Sequence, residues 1–168
     1  MAILPVLRFP DPRLKEKSLS VKDSIQEVKP FLDDLMETLQ SYPGCVGLAA
    51  PQIGCMIRAI VVDVRRYRKP VEGHGLQILL NPVILESRLS EVNREGCLSV
   101  SDYTGNVPRY QEVLVEGMDL SGKTVHIEAK GFEAVVMQHE IDHLDGLLFV
   151  DRVSSLKTDV FRRKVYLH

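Results

Sequence analysis

The sequence predicts an α+β domain in which short, mainly antiparallel strands pack around a central helix, with a further helix near each end. Segments of helical spacing stand apart from segments of strand-like alternation, and no regular βαβ rhythm joins them. The 168 residues, 45% of them hydrophobic, suffice for one core and are too few for two comfortable ones. One domain over residues 1–168 is expected.

Taken in order, Arg8-Phe9-Pro10-Asp11-Pro12-Arg13 is a turn-rich lead-in, because each proline pushes the residue before it out of helical geometry. Ile25, Val28, Leu32, Leu35, Met36 and Leu39 then keep helical spacing. Asp23 or Ser24 is the expected N-cap, Pro30 a bend or delay in the first turn, and Pro43-Gly44 the stop. The β-branched run from Met56 to Val64 reads as a buried strand. Arg65-Arg66-Tyr67-Arg68-Lys69 reads as a solvated turn rather than a phosphate site. Strand segments are expected on either side of Asn81-Pro82. Alternating polarity flanking Asp119-Leu120-Ser121-Gly122-Lys123 predicts a hairpin, with His126 on its surface. Near the end, Ser154 or Ser155 is read as the cap of a last helix through Lys157, Val160, Phe161 and Val165.

With 21 basic and 23 acidic residues the chain carries a formal charge of −2, which gives no general drive toward DNA or a membrane surface. No apolar run approaches the ~20 residues of a membrane helix, and the N-terminus lacks the pattern of an export signal. Three cysteines, Cys45, Cys55 and Cys97, suit a reducing compartment. A cytoplasmic setting is expected.

The chemistry is concentrated in Gln138-His139-Glu140-Ile141-Asp142-His143. Residues four apart on a helix share a face, so His139 and His143 can each give a nitrogen to one metal ion, with Glu140 beside them as a proton carrier. Phe132, Val135 and Val136 place the histidines in line with an apolar stripe rather than on a wet face. A catalytic site of this kind normally uses three protein ligands and keeps one position for water. Gly146 fits the extended pattern HExxHxxGxxH, but Phe149 stands where its third histidine would be, and no glutamate follows Glu140. Asp151 fits by spacing. Cys97, in Glu95-Gly96-Cys97-Leu98-Ser99-Val100, is the other candidate, beside a glycine that permits close backbone approach. A third segment, Val46-Gly47-Leu48-Ala49-Ala50-Pro51-Gln52, packs small residues around a single amide.

Together these three segments resemble the peptide deformylase family, whose motifs GφGφAAxQ, EGCLSφ and QHEφDH occur in this order. The second and third match in full; in the first, Cys45 replaces a glycine, and Thr104 stands where many members carry arginine. The resemblance implies a hydrolase that removes the N-formyl group from formylmethionyl N-termini of nascent polypeptides. It implies Cys97, His139 and His143 as ligands of one divalent metal, ferrous iron natively, with zinc, nickel or cobalt replacing it in purified protein. Glu140 would move the proton, while the Gln52 side chain and the Leu98 backbone N–H would stabilise the oxyanion. Val46, Phe132, Val135 and Val136 are candidates for the methionine slot, and Val46-Gly47 with Gly96 for an edge along which the peptide adds as a strand. Glu95 and Asp142 are expected to orient ligands or to pair with Arg109. A zinc endopeptidase using Asp151, and a binding module with a structural ion, are the competing readings. The basic tail from Arg152 onward offers a contact surface for ribosomal RNA.

Overall fold

The computed structural model describes residues 2–22 and 24–164. Helix α1 (Ile25–Ser41) begins at Ser24, whose backbone N–H donates to the Glu27 carboxylate three residues on. Pro30 lies within the helix, and Asp23, the other expected cap, lies outside the described residues. Its far end is held by Arg66, whose guanidinium donates to the carbonyl oxygens of Leu39, Gln40, Tyr42 and Cys45. The basic loop is thus partly a helix cap.

Among the described residues six strands follow: β1 (Gly47–Ala49), β2 (Ala59–Val62), β3 (Gln77–Cys97), β4 (Val100–Met118), β5 (Thr124–Lys130) and β6 (Val160–Arg162). They form one antiparallel sheet in the order β1-β2-β3-β4-β5, with β6 paired to β4. The expected β4–β5 hairpin is present, and His126 pairs with Glu116 on it at 2.8 Å. Two strands are longer than expected. The pairing of β3 with β4 runs from Leu80 to Cys97, and Asn81-Pro82 is an irregularity within β3 rather than a break. Asn81 adopts φ 51°, a conformation asparagine tolerates better than most residues, and Pro82 has no N–H to give a ladder. The Asn81 amide bonds both the N–H and the carbonyl of Val21, tying the leading segment to the sheet.

Helix α2 (Gly131–Leu144) packs against the sheet, joining Ile60, Val62, Leu79, Val115 and Ile127 to Ala134, Met137, Ile141 and Leu144 in one core. A second core lies between α1 and strands β1 and β2. From Glu133 to Leu144 every residue of α2 except His139 is buried, so the apolar stripe expected from spacing is in fact a helix covered on all sides. Gln138 fixes it to β4 by exchanging hydrogen bonds with the Tyr110 backbone, as a strand neighbour would.

The expected C-terminal helix is absent among the described residues. Turns occupy residues 156–158, Ser155 and Asp159 bond each other across them, and β6 then adds to β4 at residues 103–105. Val160 and Phe161 suit a strand by their branched and aromatic side chains, and a neighbouring edge takes them up. Val165 lies outside the described residues. No helix among the described residues is long and apolar enough to cross a membrane.

Candidate active site

The end of β3 and one face of α2 bring three donors together. Ligand atoms of Cys97, His139 and His143 all lie within 4.8 Å of one another. The Cys97 Sγ is 3.3 Å from His143 Nε2. His139 gives its Nδ1 to Glu95 Oε1 at 2.7 Å, which leaves Nε2 for the common centre. Burial by itself would raise the Cys97 thiol, but the facing imidazoles of His143 and His139 outweigh it and hold the group well below the ordinary thiol value. A thiolate and two imidazoles are soft and borderline donors of the kind that bind zinc, iron, nickel or cobalt. The residues therefore fit a divalent metal ion.

Behind the donors lies a buried ionic chain. Arg109 forks onto Glu95 at 2.7 and 3.0 Å and reaches Asp142 at 2.6 Å, and Arg152 forks onto Asp142 at 3.1 and 2.8 Å. Desolvation opposes the charge on Glu95, yet His139 and Arg109 prevail and hold its pKa below the usual value. Glu95 both orients His139 and pairs with Arg109, two roles that were alternatives in the sequence.

Glu140 is buried against Gly47. A Cβ on Gly47 would stand 2.6 Å from Glu140 Oε1 and 2.9 Å from Val136 Cγ1, so only glycine fits there. Burial raises the Glu140 carboxyl to about 7 against the pull of His139 and His143. Its Oε2 has no hydrogen-bond partner among the described residues. On the opposite side Gln52 accepts from the Ala49 N–H at 2.9 Å and presents Nε2 to Ser99 Oγ at 3.0 Å and to Cys97 Sγ at 3.5 Å. Ser99, which the sequence reading passed over, thus sets the orientation of this amide.

A cleft of about 520 Å³ opens over these groups. Its walls include all the expected contact residues, Val46, Gly47, Gly96, Phe132, Val135 and Val136, together with Leu98. Tyr67 joins them from the basic loop, its ring 4.5 Å from that of Phe132, and no spacing pattern pointed to it. Cys45 also lines the cleft, but its thiol donates to Gly47 O at 3.2 Å and burial pushes its pKa to about 12. Asp151 takes no part: it pairs with Lys15 and accepts from the Leu148 N–H at 2.8 Å. Phe149 is core, and Gly146 serves backbone fit at φ 72° beside the Lys15 carbonyl.

Three donors around a cleft, with a buried carboxylate beside them in an antiparallel α+β fold, define a metal-dependent hydrolase. Comparison with known proteins narrows the class. The model of the family Polypeptide deformylase matches residues 3–159. A peptide deformylase of Syntrophobacter fumaroxidans is 44% identical over 98% of this chain and 94% of its own, and peptide deformylase 1 of Vibrio vulnificus is 44% identical over 100% and 96%. Among solved structures, a peptide deformylase from Legionella pneumophila superposes with a TM-score of 0.83 at 37% identity, covering 93% of this chain and 89% of that one. A Met-Ala-Ser-bound class I type b peptide deformylase from Acinetobacter baumannii gives 0.83 at 33% identity, covering 90% and 100%. The chain belongs to the polypeptide deformylase family.

Proposed function

We propose that the whole chain acts as one catalytic domain that hydrolyses the formyl amide at formylmethionyl N-termini of nascent polypeptides, releasing formate and a free amine. The observation that carries this is Glu140, buried and partly unpartnered next to the Cys97-His139-His143 group at the floor of the cleft. Those three residues would hold a divalent ion, which when bound would supply Lewis acidity to a water and to the formyl oxygen. Glu140 takes the proton of the attacking water as its oxygen bonds the formyl carbon, then passes it to the departing nitrogen. A carboxyl whose pKa burial has raised is suited to both steps. Gln52 Nε2, held by Ser99, and the Leu98 backbone N–H donate to the oxyanion that develops.

Phe132, Val135, Val136 and Val46 form the apolar wall that receives the methionine side chain. The peptide backbone lies between two strand edges. β1 ends the sheet, and the stretch of β3 near Gly96 has only β4 beside it, so both can accept an added strand. The Acinetobacter relative carries Met-Ala-Ser, a peptide with methionine first, as this reading requires. Ferrous iron is the working metal by family resemblance, since this donor set suits iron and zinc alike. Formylated chains arise at ribosomes, which places the activity in the cytoplasm. Exposed Lys157, Arg162 and Lys164 provide the ribosome contact, whereas Arg152 is engaged with Asp142; salt-insensitive co-sedimentation with ribosomes, or none, would remove that contact from the proposal.

The test is formate release from formyl-Met-Ala-Ser by protein purified without oxygen and supplied with ferrous iron. Glu140→Ala should retain its metal and lose turnover by about 10²-fold or more, the usual weight of a general acid–base group. Substantial activity in a metallated Glu140→Ala protein would overturn the assigned role.

A further inference from the structure

The outer lip of the cleft carries two guanidinium groups that have no acidic partner among the described residues. Arg163 follows β6, its backbone N–H bonded to Asp102 O at 2.8 Å, and its side chain reaches across β4 to lie against Gly96, next to Cys97. Its terminal nitrogen occupies the space a Cβ at position 96 would fill, so the guanidinium sits directly over the β3 backbone there. Among the described residues this guanidinium has no hydrogen bond and no ion pair. Arg94 stands two residues before Gly96 on β3. It stacks 3.9 Å over the Phe161 ring and donates to Asn106 Oδ1 at 2.9 Å and Thr104 Oγ1 at 3.4 Å, all neutral partners. The acidic residues lining the cleft are Glu95 and Glu140; Glu95 is committed to Arg109 and His139, and Glu140 is buried among the histidines. Among the described residues, both positive charges at the lip are therefore uncompensated.

We infer that Arg163 and Arg94 form a carboxylate subsite that selects peptides with an acidic group just behind the methionine. A strand advances about 3.3 Å per residue, so Arg94 lies roughly 10 Å along β3 from Cys97. A peptide laid along that edge with its formyl group at the Cys97-His139-His143 centre brings its second or third residue to the two guanidiniums. Arginine forks match carboxylates in shape as well as charge. The carboxylate can be an Asp or Glu side chain or the free C-terminus of a short peptide; the chemistry is shared. This inference rests on the deformylase reading.

The experiment compares formyl-Met-Glu-Ala-amide and formyl-Met-Ala-Glu-amide with their Gln counterparts, and formyl-Met-Ala-Ser acid with its amide, on the metal-loaded protein. At low salt the carboxylate member of at least one pair should have a kcat/KM about three- to tenfold higher, expressed through KM and diminished by salt. Arg163→Gln should bring that ratio near one, and Arg163→Glu should invert it in favour of Lys at the same position. A ratio confined to the acid and amide of formyl-Met-Ala-Ser assigns the subsite to a chain terminus; one confined to Glu and Gln assigns it to a side chain. Equal ratios in the unmutated protein and Arg163→Gln overturn the inference. If no formylpeptide is turned over, the deformylase reading fails separately, and binding of Met-Ala-Glu-amide against Met-Ala-Gln-amide decides the subsite by the same comparison.

Discussion

At Gly47 the absence of one carbon sets the position of the Glu140 carboxylate, the proposed proton carrier. Glu140 Oε1 occupies the space a side chain would fill, and Val136 Cγ1 crowds the same space. Gly47→Ala should therefore fold, since the clash is confined to the cleft, and should lose about 10²-fold in kcat/KM by displacing Glu140. Circular dichroism and formate release measured together check this; an alanine variant with full activity would mean that the carboxylate has room to spare. Position 45 matters less. Its thiol points to its own segment's carbonyl and is far too weakly acidic to compete for a metal. Sequence reading raised Cys45 as a departure from the family pattern, but only the side-chain direction separates a narrowed pocket from an inert one.

Between elements, the chain His139–Glu95–Arg109–Asp142–Arg152 joins β3, β4, α2 and the segment after it. Arg109 is its only link between the two carboxylates, and it is 4% exposed, so water cannot replace it. Arg109→Ala would take from Glu95 and Asp142 the buried charge they share, leaving only His139 and Arg152 beside them, and should destabilise the protein by about 3 kcal/mol, the low end for breaking a buried pair, measurable by urea unfolding. Arg109→Met with both Glu95→Gln and Asp142→Asn should recover part of that loss, because the buried positions no longer carry charge and Arg152, which loses its partner, is half exposed to water. Arg66 makes a different junction. Arg66→Ala would leave carbonyl oxygens at the end of α1 without their donor and should cost about 1–3 kcal/mol. The periodicity of α1 and the alternation of the β4–β5 hairpin were readable because each element satisfies its pattern locally, whereas α2, expected to show one apolar stripe, is buried on all sides. The last segment was not readable. Ser154 and Ser155 are competent helix caps, yet residues 160–162 find a β4 edge at residues 103–105, far back along the chain, and that partner leaves no mark on the local spacing.

For the whole molecule, a metal ion bound to Cys97, His139 and His143 would cross-connect β3 to α2. Anything that binds only the folded state stabilises it by RT ln(1 + [L]/Kd), about 2.7 kcal/mol at a hundredfold excess over Kd. Stripping the metal should therefore lower the melting temperature, and returning it should restore the original value. Cys97→Ala should show neither change; calorimetry with metal analysis reads both without any assay of activity.

Much of the site was legible because its chemistry is carried by three short contiguous segments whose residue types are unusual in combination. Helical geometry alone puts His139 and His143 on one face, and the resemblance of all three motifs supplied the family. Spacing could not choose between Cys97 and Asp151 as the third donor. The fold decides, sending Asp151 to Lys15 and to a backbone cap, and delivering Cys97 to His143 at 3.3 Å. Ser99, Tyr67, Arg94 and Arg163 were beyond sequence reading for one reason: each acts on a residue brought to it by strand pairing or loop closure, with no short-range period to announce it. The sequence by itself determined the candidate reacting groups and the helices and hairpin that hold them, because those depend on neighbours along the chain. Tertiary structure alone decided how closely Cys97 meets the two histidines, that Glu95 serves His139 and Arg109 at once, and the charge at the cleft's lip, because those depend on which distant segments the sheet and its cores force into contact.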